Sequence, residues 1–196
     1  MTGFTFAQLA GVSALVAATM TVVGMATLLA FFSRGGRWGT FNDAASVVLM
    51  LAMIPVALVL AAIELEVVTT DALVVAAIGI VAMLLIAILQ TLLVLGRVTY
   101  EQTKAAVLGL GAIVGIWYLL TAIVSAHTDI PDGIRVAAAA SGLGFIAVGY
   151  GFARGGERHP AAAIGGITLF AASLVFQVWL GALLATEALV VPDFNL

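Results

Sequence analysis

Six apolar runs, cut apart by short polar breaks, leave this chain few ways to fold. The runs span 6–32, 44–65, 72–95, 105–126, 133–152 and 161–186. About 20 apolar residues are enough for a helix to cross a hydrocarbon core of roughly 30 Å. In hydrocarbon every backbone N–H and C=O must be paired within the structure, which leaves α-helices or a closed barrel. The alternating segments of about ten residues that build a barrel are absent. The expected fold is therefore all-α: one polytopic bundle of six transmembrane helices over 1–196, with short loops. Composition agrees. Only 9% of the residues are charged, against roughly 25% in a soluble domain, so a water-facing surface cannot be covered.

The breaks read RGGRWGTFND, EVVTTD, GRVTYEQTK, HTDIPD and ARGGERHP. Each carries turn or cap chemistry. Gly35 and Gly36 are expected to end the first helix, and Asp43, Asp71 and Asp132 to stand at helix N-caps. Short connections make sequential helices antiparallel neighbours. Arg34, Arg37, Arg97, Lys104, Arg154 and Arg158 fall in the first, third and fifth breaks, with Arg135 alone on the opposite side. Lys and Arg favour cytoplasmic loops. The expectation is a multi-pass protein of the cell membrane, with basic loops 33–43, 96–104 and 153–160 in the cytoplasm and both termini outside. Trp38 then belongs at headgroup level. The first run has no basic segment before it, and its charge follows the apolar stretch. It therefore reads as a retained helix rather than a signal peptide.

Several motifs invite a chemical reading. Arg34-Gly35-Gly36-Arg37 and Arg154-Gly155-Gly156-Glu157-Arg158 form a loose repeat that suits an anion. No Gly-x-x-x-x-Gly-Lys-Ser/Thr spacing accompanies it. Glycine closing a helix, with arginine at the negative helix end and near lipid phosphates, explains it more simply. Asp129-Ile130-Pro131-Asp132-Gly133 starts like the CDP-alcohol phosphotransferase motif. The Ala-Arg pair and the later aspartates of that motif are missing, which rejects the match. His127, Asp129 and Asp132 make a poor cation cage and a good acidic turn. Ser141-Gly142 lacks a base within reach, and small residues there suit close helix packing. Lys104 is too shallow for a buried Schiff base. The absence of cysteine excludes disulfides and thiolate chemistry. The basic residues form no extended stripe, so nucleic acid is not an expected partner. No cofactor or metal site and no catalytic residue is expected.

What remains is a sparse polar set inside the runs: Thr19, Thr21, Gln90, Thr91, Tyr118 and Gln177, with Pro55 interrupting the second helix. An amide in hydrocarbon needs a partner, so Gln90 and Gln177 should face the bundle. Interhelical hydrogen bonding is the plain reading, and a ligand pocket touching Gln90, Gln177, Tyr118, Thr21 and Asp43 is the functional one. Glu64 can pair with Arg135 at the outer boundary. Gly109, Gly111 and Gly115 mark close helix contact, within the bundle or with another subunit.

Gly39-Thr40-Phe41-Asn42-Asp43 leading to Pro55 forms the first of several ordered motifs. Gln90-Thr91-Leu92-Leu93-Val94-Leu95-Gly96, Trp117-Tyr118-Leu119-Leu120, Gly156 through His159-Pro160 to Gly165-Gly166, and Trp179-Leu180-Gly181 follow. Taken in order, the chain resembles a loose group of bacterial and archaeal six-helix integral membrane proteins of no assigned activity. The resemblance implies the six-helix fold alone. The functional expectation is a non-enzymatic protein that binds a lipid or small hydrophobic molecule, or an accessory subunit of a membrane assembly. Its expected partners are membrane lipids and, beyond them, a second copy or another membrane subunit. The alternative is a passive channel or transporter, oligomeric or not. An enzyme acting on a lipid headgroup through Asp43 and the arginines ranks third.

Overall fold

A computed structural model describes residues 5–192. Six long helices follow one another: α1 (Phe6–Arg34), α2 (Trp38–Leu65), α3 (Thr69–Val94), α4 (Tyr100–Val124), α5 (Asp132–Gly155) and α6 (Pro160–Ala185). Among the described residues the only other regular elements are two short 3₁₀ turns, at Ser125–His127 and Gly156–Arg158. All six helices are long and apolar enough to cross a membrane, and the protein is a multi-pass membrane bundle. Each helix packs on its neighbours in the chain, and α6 returns to pack on α1, so the six close into a ring. The loops after α1, α3 and α5 share one end, which carries Arg34, Arg37, Arg97, Arg154 and Arg158. That end is called the arginine end below, and the opposite one the far end.

Local chemistry sets the helix ends. At the far end Thr5 caps α1: its hydroxyl accepts from the Gln8 N–H, and the Gln8 side chain accepts from the Thr5 N–H. The same hydroxyl donates to Glu187 at 2.9 Å, tying the start of α1 to the segment after α6. At the arginine end Gly35 stops α1 with its N–H on the Phe31 carbonyl at 2.8 Å. Gly35 and Gly36 both take φ of 65°, a left-handed conformation open chiefly to glycine. Two such residues reverse the chain so sharply that α2 begins at Trp38.

The start of α2 corrects an expectation. Asp43 should have capped the second helix, with 33–43 as its loop. Instead Gly39 to Asp43 lie within the first turns of α2. Nothing in WGTFND breaks a helix, and its aromatic residues hold it in place. Trp38 packs edge-on against Phe41 at 5.8 Å, and Gly39 sits against the Phe31 ring. Asp71 and Asp132 are likewise not caps. Each lies in the first turn of its helix, where a carboxylate still favours the helix dipole. The basic loops are also shorter than expected, since α4 starts at Tyr100 and α5 runs on to Gly155.

The Arg-Gly-Gly repeat is out of register with its sequence match. Gly156, not Gly155, is the counterpart of Gly35. Its φ is 69°, and its N–H bonds the Phe152 carbonyl as that of Gly35 bonds Phe31. The likeness then stops. After Gly156 a 3₁₀ turn leads to His159, whose Nδ1 accepts from the Ala161 N–H at 3.2 Å and caps α6.

Small residues let the helices touch. A Cβ on Gly142 would lie 2.5 Å from the Gly115 carbonyl oxygen, so α4 and α5 meet backbone to backbone. Gly115 thus contacts a helix of the same bundle. Gly111 faces Phe145, and a Cβ on Gly109 would meet nothing within 4 Å. Ser141, fully buried, donates to the Ala137 carbonyl on its own helix at 2.8 Å. The far half of the bundle is filled by Leu60, Trp117, Ile134, Phe176, Leu180 and Leu184, each fully buried.

Candidate functional site

The halves of the bundle differ in how α1 meets α6. In the far half the two are in contact: a Cβ on Gly11 would lie 2.8 Å from both the Ala185 Cα and the Gly181 carbonyl oxygen. In the arginine half they stand apart around a cavity of about 720 Å³. That volume falls within the usual range for small-molecule sites, roughly 300–1,000 Å³. All six helices contribute to its wall, most heavily α1, from Met20 to Phe32, and α6, from Ala162 to Gln177. Leu29 and Phe32 on α1 and Ile167 on α6 line the cavity and are also 60%, 52% and 70% exposed. The cavity therefore opens sideways, between α1 and α6, onto the face a bilayer covers.

Two features mark the wall. The first is methionine. Met20, Met25, Met50, Met53 and Met83 all line the cavity, and they are every methionine among the described residues. An unbranched, polarisable thioether adapts to ligands of varied shape. Phe145, Phe152, Phe170 and Tyr118 add aromatic surface on other sides. The second feature is a polar floor near mid-membrane. The Thr21 hydroxyl lies 2.8 Å from Gln177 Oε1 and bridges α1 to α6. The Gln177 amide nitrogen has only the Met53 sulfur, at 3.9 Å. Ser173, one turn before Gln177, is 4% exposed, and its hydroxyl has no hydrogen-bond partner. The Tyr118 hydroxyl faces both Gln177 and Ser173, while its ring packs between Trp117, Phe145 and Phe176. No Asp, Glu, Lys, Arg or His lines the cavity.

Three of the expected residues, Thr21, Tyr118 and Gln177, come together on this floor. Two do not. Gln90 lies on α3 away from the cavity, half-buried, with an Oε1 that has no partner. Met83, two turns earlier on nearly the same face of α3, is the α3 residue that lines the cavity, so Gln90 misses it by its position along the helix, nearer the arginine end. Asp43 is half-buried at the arginine end and lines nothing. Its neighbours Asn42 and Ser46 on α2 take that place. Ser173, Asn42, Ser46 and the methionines also line the cavity, and none of them singly carries a site signal in the sequence. The clustering of methionine in the first three helices was the signal available. Thr19 and Thr91 satisfy themselves on the carbonyls of Leu15 and Ala87.

The basic residues stay at the rim. Lys104 lies 5.7 Å over the Tyr100 ring, and Arg154 lies at the same distance over Tyr150. Tyr150 also meets His159 edge-on. At the far end the expected Glu64–Arg135 pair is absent. Glu64 is 1% exposed and accepts from the Ser125 hydroxyl at 2.7 Å. Arg135 instead pairs with Asp132 at 2.8 Å, one turn back on its own helix. That local partner is already in reach at the helix start, whereas Glu64 is sealed inside the packed half.

No protein-family model matches the chain, and no curated protein or solved structure matches it either.

Proposed function

We propose that this protein is a non-enzymatic membrane protein that takes a lipid or small hydrophobic molecule into the cavity between α1 and α6, alone or as an accessory subunit. The observation that carries this reading is the cavity itself. It holds about 720 Å³, is walled by all the described methionines, and is reached from the side that faces lipid. Lateral access suits a molecule that partitions into the bilayer. The closed far half supports a pocket over a pore, because Leu60, Trp117, Phe176 and Leu180 fill the path beyond Gln177. The positive-inside bias of the loops supports a cell-membrane setting with the arginine end in the cytoplasm, so the opening lies in the inner leaflet.

Gly166 offers a direct test. It lines the cavity, and a Cβ there would meet nothing within 4 Å. Gly166→Phe should fold normally and fill the space. Native mass spectrometry of the detergent-purified protein, titrated with decylbenzene, is expected to show binding to the wild type and a loss of about tenfold or more in the variant, since a blocked cavity forfeits burial of the ligand's apolar surface. Equal binding by both would end this reading.

A further inference from the structure

Resting on that reading, we infer that the cavity's ligand is a neutral hydrophobic molecule whose buried end carries a carbonyl-type hydrogen-bond acceptor, held by Ser173, Gln177 and Tyr118.

Two donors on the floor of the cavity lack a good acceptor. The amide acceptor, Gln177 Oε1, is already taken by the Thr21 hydroxyl at 2.8 Å. Opposite it, the Gln177 amide protons reach only a thioether at 3.9 Å, a weak acceptor. The Ser173 hydroxyl makes no well-formed hydrogen bond, although the Tyr118 hydroxyl faces it and Gln177. Gln177 and Tyr118 are each 2% exposed. Donors left unpaired in such a setting are costly. A ligand oxygen placed among them would pair with Ser173 and with Gln177 Nε2.

The chemistry also excludes other occupants. The methyl end of an ordinary acyl chain would leave the Ser173 hydroxyl and the Gln177 amide protons as they are, without a good acceptor. A carboxylate or phosphate would enter a wall with no Lys, Arg or His, and a buried charge without a partner is far more costly than a neutral group. What fits is a ketone, ester or quinone oxygen at the deep end and a hydrocarbon tail toward the mouth. From Thr21 to Phe32 the wall of α1 runs about 16 Å at the helical rise, which accommodates a tail of moderate length beside the methionines.

Decylbenzoquinone and decylbenzene share a ring and a tail and differ in the acceptor oxygens. Native mass spectrometry of the full protein in detergent should show decylbenzoquinone binding about tenfold more tightly, the worth of one or two hydrogen bonds. Ser173→Ala removes a hydroxyl that makes no well-formed hydrogen bond within the bundle. It should cut that preference severalfold and leave decylbenzene binding unchanged. Ser173→Ala combined with Gln177→Leu should abolish the preference. Equal affinities for the two probes in the wild type, or a preference untouched by Ser173→Ala, would overturn acceptor recognition and leave hydrophobe binding standing. If neither probe binds, both ideas fail together.

Discussion

The seam between α1 and α6 is built twice, with opposite results. Toward the far end Gly11 lies on Gly181 and Ala185, and the two backbones touch. Toward the arginine end Gly24 and Gly166 also lie on the seam, yet a cavity separates the helices. Glycine alone therefore does not bring helices together. In lipid, helix contact depends on packing and polar bonds rather than on a hydrophobic drive, so the neighbours of each glycine decide. Around Gly11 and Gly181 they are Ala14 and Ala185, with only the tip of Leu15 alongside, small enough for contact along the seam. Around Gly24 and Gly166 they are Met20, Met25, Leu28, Ile167 and Phe170, which hold the helices apart.

The largest effect should come from exchanging those two environments. Gly11→Leu would drive a side chain into the Ala185 backbone, and overpacking of that kind costs about 3 kcal/mol or more where backbone must shift. Gly24→Leu meets only Asn42 Oδ1, at 3.8 Å from its Cβ, and gains helix propensity. Its stability should stay within about 1 kcal/mol of the wild type. Denaturant titration in mixed micelles measures both. Comparable losses would mean that the two halves of the seam are packed alike.

A second contrast involves two buried serines. Ser125, in the far half, donates to Glu64 at 2.7 Å. Ser173, at the cavity, donates to nothing. Replacing Ser125 by Ala leaves the buried Glu64 carboxyl without its partner, at a cost of about 1–3 kcal/mol. Replacing Ser173 by Ala should change stability by no more than about 0.5 kcal/mol. In the Glu64→Leu background the cost of Ser125→Ala should largely disappear, because the acceptor is gone. A double-mutant cycle with no coupling would show that the Glu64–Ser125 contact contributes nothing to the far half.

Some of this was legible in the sequence, and the limits have physical causes. Polarity along a chain marks depth in the bilayer, so six runs gave six helices, and two glycines marked the end of α1. Polarity does not mark the face of a helix that is apolar all round. Gln90 and Gln177 looked equivalent, yet only Gln177 lines the cavity; Gln90 lies two turns beyond Met83 and falls outside it. Glu64 looked like a boundary residue in search of Arg135, because the sequence cannot show that α2 carries it inside the ring beside Ser125. The polar letters of RGGRWGTFND suggested a long loop. Two left-handed glycines made the turn in three residues and left the rest to the helix. The cavity was the least legible feature, since an unfilled space is set by residues distant in sequence and only the placement of methionine hinted at it.

Asp43 gives the smallest expected effect and the sharpest check on the boundary of the site. From the sequence it was, among the acids of the basic loops, the one nearest to entering a span, and the residue on which a headgroup enzyme would depend. In the structure it is half-buried on α2, has no hydrogen-bond or ion-pair partner among the described residues, and lies off the cavity wall that Asn42 and Ser46 occupy. Asp43→Asn keeps the shape and removes the charge. It should leave decylbenzoquinone affinity within about twofold of the wild type, because a change in an uncontacted charge at this distance is worth little beside one direct hydrogen bond. Asn42→Leu, one residue away but on the wall, should alter binding more. If Asp43→Asn weakens binding strongly while Asn42→Leu does not, the ligand reaches past the cavity to the arginine end, and its polar contacts lie there rather than on the Ser173–Gln177 floor.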